Sequence, residues 1–414
     1  MLDCFTAVDR CSRLKIYFES YGCTLSRSEA GLYVNRMISE GNELVESPSG
    51  ADLSIIGTCV VIKHTQDRMI SRIENLSRDS KVRVIGCLPS VSGGELESER
   101  IEILKPREFR SFYSGQLDDI EIREPSIFDG IPINQGCTGS CNYCISRVAR
   151  GKLVSRPPGK IVNQVRMQLD RGIREVRISS LDTAAYGKDL GITLDVLLGD
   201  MLAIDGDFMI RIGMMEPKNA ALIIDRLLDR LSDRRIFKFL HVPVQSGDDR
   251  ILELMNREYD SGVFMDIVSR FRSRFPDGTL STDIISGYHD EDDETFLNTM
   301  ELIHKTRPDI INITRFSPRP FTPDYDRIVP PSNSVKRWTR EYSATHKSII
   351  REKLAGIIGR EEELMITEKG RSGTSVGRDH AYRPVVVPGN HDLYSRIKVE
   401  IIDEAGTYLI GKIL

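Results

Sequence analysis

Residues 131–144 read IPINQGCTGSCNYC: a short apolar strand runs into a glycine and then into Cys137, Cys141 and Cys144, spaced C-x3-C-x2-C. Three thiolates this close together wrap one corner of an iron–sulfur cubane and leave its fourth iron without a protein ligand. A structural zinc would recruit four protein ligands, whereas no fourth Cys or His is near; the closest histidines in sequence are His64 and His241. An open iron is a binding site for a small molecule.

Downstream of this loop a β-then-α rhythm sets in. Strand-like segments at 131–136, 174–182, 208–215, 236–245, 279–286 and 311–318 alternate with helix-like ones at 159–172, 193–203, 221–233, 249–257, 263–275 and 293–306. Such alternation predicts a parallel sheet curled toward a barrel, and six repeats predict a partial one. Upstream, strands at 14–20, 51–59 and 81–87 alternate with helices at 28–41 and 65–77, which predicts a separate parallel α/β unit. Cys23, Cys59 and Cys87 lie just beyond the C-terminal ends of those strands, the edge at which open parallel sheets bind ligands. Their spacings of 36 and 28 residues match no local motif, and three buried core cysteines are the alternative on spacing alone. Cys4 and Cys11 precede the first strand and read as incidental thiols. After a helix-like stretch at 334–354, strands at 361–367, 384–389, 395–403 and 407–414 predict a compact antiparallel barrel. The expected fold is therefore α/β: a parallel α/β domain at 13–122, a partial (β/α)6 barrel at 123–353 and a small antiparallel β-barrel at 354–414.

Composition sets the outer limits. A chain of 414 residues has room for two to four domains at roughly 150 residues each. Eight cysteines are too few for a disulfide framework and point to metal or redox chemistry. No run of about 18 apolar residues could span a bilayer, and Asp3, Asp9 and Arg10 interrupt any signal-peptide core. A cytoplasmic protein with no membrane contact is the expectation. The formal net charge of −4 argues against a general basic coat. Charge is nevertheless focused: residues 137–177 hold nine basic against two acidic side chains, and residues 307–353 hold ten against five. Local fields of that kind attract a phosphate backbone. The last segment is close to neutral, so any grip on nucleic acid there would use Arg378, Tyr382 and Arg383.

A three-cysteine loop opening a βα barrel resembles the radical S-adenosylmethionine superfamily, in which the methionine amino and carboxylate groups chelate the open iron and cleavage of the sulfonium yields a 5′-deoxyadenosyl radical. The contexts SYGCTLSRSEA, GTCVV and IGCLPS around the other trio narrow the resemblance to the methylthiotransferases. It continues through ARGKLVSRP (149–157), SSLDTAAYG (179–187), HVPVQSGDDRILELMNREY (241–259), STDIISGY (281–288) and RFSPRPFTP (315–323), which covers nearly the whole chain. The C-terminal GREEELMITEKG through YLIGKIL is similar to the TRAM domain, a small RNA-binding barrel that this family carries last. DTAAYG and HVPVQSG resemble the archaeal and eukaryotic type, which acts on tRNA adenosine 37 bearing an N6-threonylcarbamoyl group.

The resemblance implies methylthiolation at C2 of that base. It implies two 4Fe-4S clusters, one on Cys23, Cys59 and Cys87 and a catalytic one on Cys137, Cys141 and Cys144. S-adenosylmethionine would be held by Tyr143, Asp182, Tyr186, Glu216, Gln245, Arg257 and Ile285. Glu216 and Gln245 suit ribose hydroxyls, and Arg257 suits the methionine carboxylate or else is a solvated helix-end arginine. Asp182 and Tyr186 reach the cofactor or the substrate, or else serve as an N-cap and a packed aromatic. Implied partners are the tRNA anticodon loop, an electron donor protein and a sulfur donor. Departures from the family pattern are His289 and Asp290 in place of Pro-Gly, Phe321 in place of Gly, and Ser90 in place of Gln. Competing readings are a methylthiotransferase for isopentenyladenosine in tRNA or for a ribosomal protein, and a non-catalytic iron–sulfur RNA-binding sensor.

Overall fold

The computed structural model describes residues 13–114 and 120–414; Cys4 and Cys11 lie outside the described residues. Strands β1 (Lys15–Ser20), β2 (Glu43–Val45), β3 (Leu53–Thr58), β4 (Lys81–Gly86) and β5 (Ile101–Ile103) form one parallel sheet in the order β2-β1-β3-β4-β5. Every residue of β3, LSIIGT, is buried, as a central strand covered on both faces requires. Its neighbours β1 and β4 end beside it, so the three chain segments bearing Cys23, Cys59 and Cys87 emerge at adjacent strand ends. The outer strands β2 and β5, of three residues each, are too short to leave a pattern in the sequence.

β6 (Ile131–Pro132) opens the second unit. Strands β7 (Asn134–Gln135) and β8 (Val154–Ser155) pair antiparallel and clamp the base of the second cysteine loop. The barrel continues through β9 (Glu175–Ser179), β10 (Met209–Ile212), β11 (Phe239–His241), β12 (Thr279–Ser286) and β13 (Ile310–Arg315). Two parallel sheets, β6-β9-β10 and β11-β12-β13, are joined by a parallel bridge between Ile210 and Ile236 and by the Met215 N–H on the His241 carbonyl at 2.9 Å. The six strands thus follow chain order around an arc, as expected of a partial barrel. Its interior and outer helices share one core that includes Ile178, Phe208, Ile210, Leu240 and Phe271. One helix expected at 249–257 ends early, at Leu254, because Asn256 adopts φ +55 and turns Arg257 back toward the cysteine loop.

Helix Ser332–Ala355 leads to β14 (Glu361–Lys369), β15 (Thr374–Arg378), β16 (Pro384–Pro388), β17 (Arg396–Glu404) and β18 (Leu409–Ile413), closed in the order β14-β15-β16-β18-β17. The sequence announced four of these strands. The fifth, TSVGR, carries a single large apolar side chain and leaves no strand pattern in the sequence. The barrel is also not wholly antiparallel: β16 and β18 run parallel. Five strands cannot alternate direction all the way around a closed barrel, so one pair must.

The residues expected to touch RNA from this barrel also make contacts within the protein itself. Tyr382 packs edge-on against Phe237 at 4.8 Å and Phe239 at 5.5 Å, and its hydroxyl donates to Glu175 at 2.7 Å. Arg378 stacks over the Tyr382 ring and donates to Glu368 at 2.7 Å, while Arg383 donates to Asp379 at 2.5 Å. Tyr382 thereby docks the small barrel onto the larger one, while the Arg378 and Arg383 bonds stay within the small barrel. Of the nine basic residues at 137–177, Arg150 and Arg156 are fully buried and Arg177 is paired with Glu175, so the surface field there is weaker than the count suggests.

Candidate iron–sulfur centres

Gly136 brings the chain into the second loop at φ +79, where a Cβ would stand 2.2 Å from the Lys152 carbonyl oxygen; only glycine fits. The Cys137 sulfur accepts the Gly139 N–H at 3.2 Å. A Cβ on Gly139 would touch the Cys137 and Cys141 sulfurs at 3.4 and 3.8 Å, so these two thiols face one shared space. Cys144, whose N–H meets the Cys141 carbonyl at 3.2 Å, caps helix Ile145–Arg150. Burial pushes the Cys137 thiol up to about 12, and Cys144 moves the same way. Raised thiols such as Cys137 and Cys144 give up their protons readily to a metal, which fits the three-thiolate donor set of an iron–sulfur cluster.

Arg257 is the hub of this site. Its guanidinium donates to the Cys141 sulfur at 3.1 Å, the Tyr143 hydroxyl at 3.3 Å and the Tyr259 hydroxyl at 2.9 Å, and it pairs with Glu216 at 3.3 Å. A side chain only 6% exposed is not a solvated helix-end arginine. Asp182 is buried and held by the Ala184 and Glu216 N–H groups at 3.1 and 3.0 Å and by the Asn219 amide at 2.6 Å. Burial raises its carboxyl, and these donors pull it back. Glu216 caps helix Pro217–Ala221 through the Asn219 N–H at 3.1 Å. Asn219 also reaches the Thr138 hydroxyl at 3.2 Å and binds Lys188. The sequence reading missed Asn219, although its place three residues after a capping Glu was visible. A cavity of about 90 Å³ opens here among Cys141, Lys188, Glu216, Asn219, Arg257 and Glu258.

Gln245 lies across the barrel mouth at φ +72, bridged to Ile284 through the Asp283 carbonyl at 2.8 Å. Ile285 and Tyr143 join one small apolar cluster around Tyr288. Tyr186 is not brought to the loop: it is fully buried in the main core and donates to the Arg156 carbonyl at 2.8 Å. A larger polar depression of about 330 Å³, bounded by Asp248, Arg250, Asn298 and Lys305, has no thiol on its walls.

The first trio mirrors the second. Cys23 caps helix Thr24–Ser39, and a Cβ on the preceding Gly22, at φ +104, would lie 3.0 Å from Cys59 Cβ. Cys87 follows β4, its N–H on the Thr58 carbonyl at 3.2 Å. Burial pushes its thiol up to about 12 while the Arg150 guanidinium, with Nε 3.2 Å from the sulfur, pulls it down. Arg150 is anchored by Glu29 at 2.6 Å, and Glu29 in turn accepts from the Tyr113 hydroxyl at 2.5 Å and the Gln135 amide at 3.2 Å. A six-residue helix therefore begins on one trio, at Cys144, and ends on the other, at Arg150. Six residues rise about 9 Å, which sets the two thiol groups on either side of one short helix.

Comparisons with known proteins agree with this architecture. Residues 131–303 match the Radical SAM superfamily, and residues 15–104 match Uncharacterized protein family UPF0004. "Probable threonylcarbamoyladenosine tRNA methylthiotransferase" from Pyrococcus abyssi is 34% identical over 97% of this chain and 100% of its own length. The protein of the same name from Archaeoglobus fulgidus is 33% identical over 97% of this chain and 99% of its length. "Threonylcarbamoyladenosine tRNA methylthiotransferase" from Drosophila melanogaster is 30% identical over 97% of this chain and 78% of its length. Among solved structures, a radical S-adenosylmethionine methyltransferase from Kitasatospora setae with tryptophan substrate and a cofactor analogue bound aligns with a TM-score of 0.55 at 12% identity, covering 87% of this chain and 79% of that one. The likeness to that structure is one of fold.

Proposed function

We propose, because this chain belongs to the family of threonylcarbamoyladenosine tRNA methylthiotransferases, that it attaches a methylthio group to C2 of N6-threonylcarbamoyladenosine at position 37 of tRNA. Two separate cysteine trios on one chain, one gathered from three strand ends and one in a single loop, carry this assignment. The C2–H bond of adenine has no acidic proton, so neither a general base nor a polar nucleophile suffices. Held by Cys137, Cys141 and Cys144, a 4Fe-4S cluster with S-adenosylmethionine supplies a radical strong enough to break it.

The chain's own residues bind and orient. Arg257, buried beside Cys141, offers the methionine carboxylate a charge-assisted partner. Glu216 and Gln245 accept from ribose hydroxyls, Asp182 fixes Glu216 and Asn219, and Tyr143 and Ile285 wall the pocket against water. Tyr186 supports this shell from the core. Cys23, Cys59 and Cys87 hold a second cluster at which the transferred sulfur is presented. An electron donor protein and a sulfur donor complete the system, which works in the cytoplasm, with functional divisions at 13–122, 123–353 and 354–414. No helix among the described residues is long and apolar enough to cross a membrane. Mass spectrometry of tRNA nucleosides from a deletion strain tests the assignment: 2-methylthio-N6-threonylcarbamoyladenosine should vanish and its precursor accumulate. An unchanged level, or loss of methylthiolation on isopentenyladenosine or on a ribosomal protein instead, would refute it.

A further inference from the structure

Between β13 and helix Ser332–Ala355 the chain forms a strap, pinned at two points. At the first, Arg319, only 3% exposed, donates to Gln66 on helix Lys63–Asp79, the helix that follows Cys59. At the second, Asp324, 2% exposed, accepts from the Tyr288 hydroxyl, and the Tyr288 ring stands edge-on to Tyr143 at 6.3 Å, inside the second cysteine loop. Each anchor thus leads to one of the two trios. Between them sits Phe321, with φ +67 and 69% of its surface exposed.

A non-glycine residue in the left-handed region is strained, and a large side chain there ordinarily offsets the strain by burial. Phe321 buries little. Tyr325, four residues on, is also exposed, and Arg327 on the strap and Arg315 at the end of β13 are exposed and in no ion pair among the described residues. Just before the helix that carries Gln66, Val61 and Ile62 are exposed, two and three residues after Cys59. Aromatic rings interleaved with free cations on an open loop are what single-stranded nucleic acid stacks on.

We propose that the strap is a stacking platform for unpaired bases of the tRNA loop, with Phe321 packing on a base beside the target adenosine. The proposal rests on the tRNA function above and adds the surface that presents the base to both trios. The strain at Phe321 is offset only when a base covers the ring.

The test uses the full chain, anaerobically reconstituted, and an anticodon stem–loop RNA carrying 2-aminopurine next to the target position. Phe321→Gly relaxes the left-handed backbone, so it should melt at an equal or higher temperature than the parent. The same variant should bind the RNA about 5- to 100-fold more weakly and lose 2-aminopurine quenching, and Phe321→Trp should recover both. Glycine binding within about twofold of the parent overturns the platform, as does a variant that loses only its response to the protein electron donor, which would make the strap a protein-docking surface. A parent protein that fails to bind the stem–loop overturns the tRNA assignment itself, and the platform with it.

Discussion

At the scale of single residues, Arg150 makes the strongest case that thiols alone do not define these sites. Its guanidinium is shared between the Cys87 sulfur and Glu29, both buried. Fixed charge and hydrogen bonds at a cysteine ligand set the reduction potential of an iron–sulfur group. Removing the positive charge with Arg150→Met should lower the midpoint potential of the cluster proposed on the first trio, the signal that Cys87→Ala should abolish; removing the negative charge with Glu29→Gln should raise it. Each single change breaks a buried pair and should cost about 3–5 kcal/mol of stability, the double change much less. A redox titration followed by electron paramagnetic resonance reads the sign, and shifts in one direction for both variants would leave Arg150 with only a packing role. Glu291 gives a second residue-level expectation. Burial raises its carboxyl to about 7, although the Gly287 and Tyr288 N–H groups favour the charged form. A carboxyl whose folded pKa exceeds its unfolded value of about 4.3 stabilises the fold most when protonated, so stability is lost as pH rises from about 4.3 to about 7. Glu291→Gln should remove that dependence and stabilise the protein at pH 8 by up to about 3 kcal/mol, whereas at pH 4 the two should melt alike. The Cys, Asp182 and Glu216 positions are legible in the sequence because they lie in loops that follow strand ends; Arg257, just past helix Asp249–Leu254, is legible only through the family resemblance. Glu29, Gln135 and Tyr113 are not legible, because a buried polar network assembled from three distant segments has no local spacing.

At the scale of elements, periodicity reveals the long strands and helices of the two parallel units except the kinked helix Leu88–Leu96, and it fails where length or closure replaces it. β2 and β5 are too brief to alternate, and β15 reads TSVGR because barrel closure, not apolar content, specifies it. Helix Thr24–Ser39 shows what periodicity also omits. It is buried on Leu25, Ala30, Gly31, Leu32 and Asn35, faces too far apart for one stripe, because it packs on its own sheet and on the linker into the barrel. Asn35 Oδ1 accepts the Arg123 and Glu124 N–H groups at 2.8 and 2.7 Å, and a Cβ on Gly31 would stand 2.2 Å from the Ile127 carbonyl oxygen. Alanine would improve helix propensity by about 1 kcal/mol but would have to displace backbone. Gly31→Ala should therefore destabilise the fold by a net ~1–3 kcal/mol in chemical denaturation. An equal or raised midpoint would mean that the linker yields freely, and that the first trio is not held against the second by this helix.

At the scale of the molecule, net charge was a poor guide and the joints between units are the better one. The arginines at 137–177 that looked like an RNA-facing field divide into exposed ones such as Arg147 and Arg166 and structural ones such as Arg150, Arg156 and Arg177. At the far end, Tyr382 sits at φ +68 in the joint between the two barrels, its hydroxyl on Glu175, which also holds Arg177 at 2.8 Å. A small barrel that grips RNA through shape adds affinity only if its position relative to the cysteine loops is fixed, since two contacts on one ligand multiply only when both can be made together. Tyr382→Phe removes one charged hydrogen bond and should cost about 1–3 kcal/mol. Tyr382→Ala also removes the ring from Phe237, Phe239 and the Arg378 guanidinium, and it should free the barrel to swing on the helix Ser332–Ala355. Small-angle scattering should then show a larger radius, and tRNA affinity should fall. Unchanged affinity in a demonstrably loosened variant would place the whole RNA grip on the strap and the cysteine face, and would make the terminal barrel dispensable for holding tRNA.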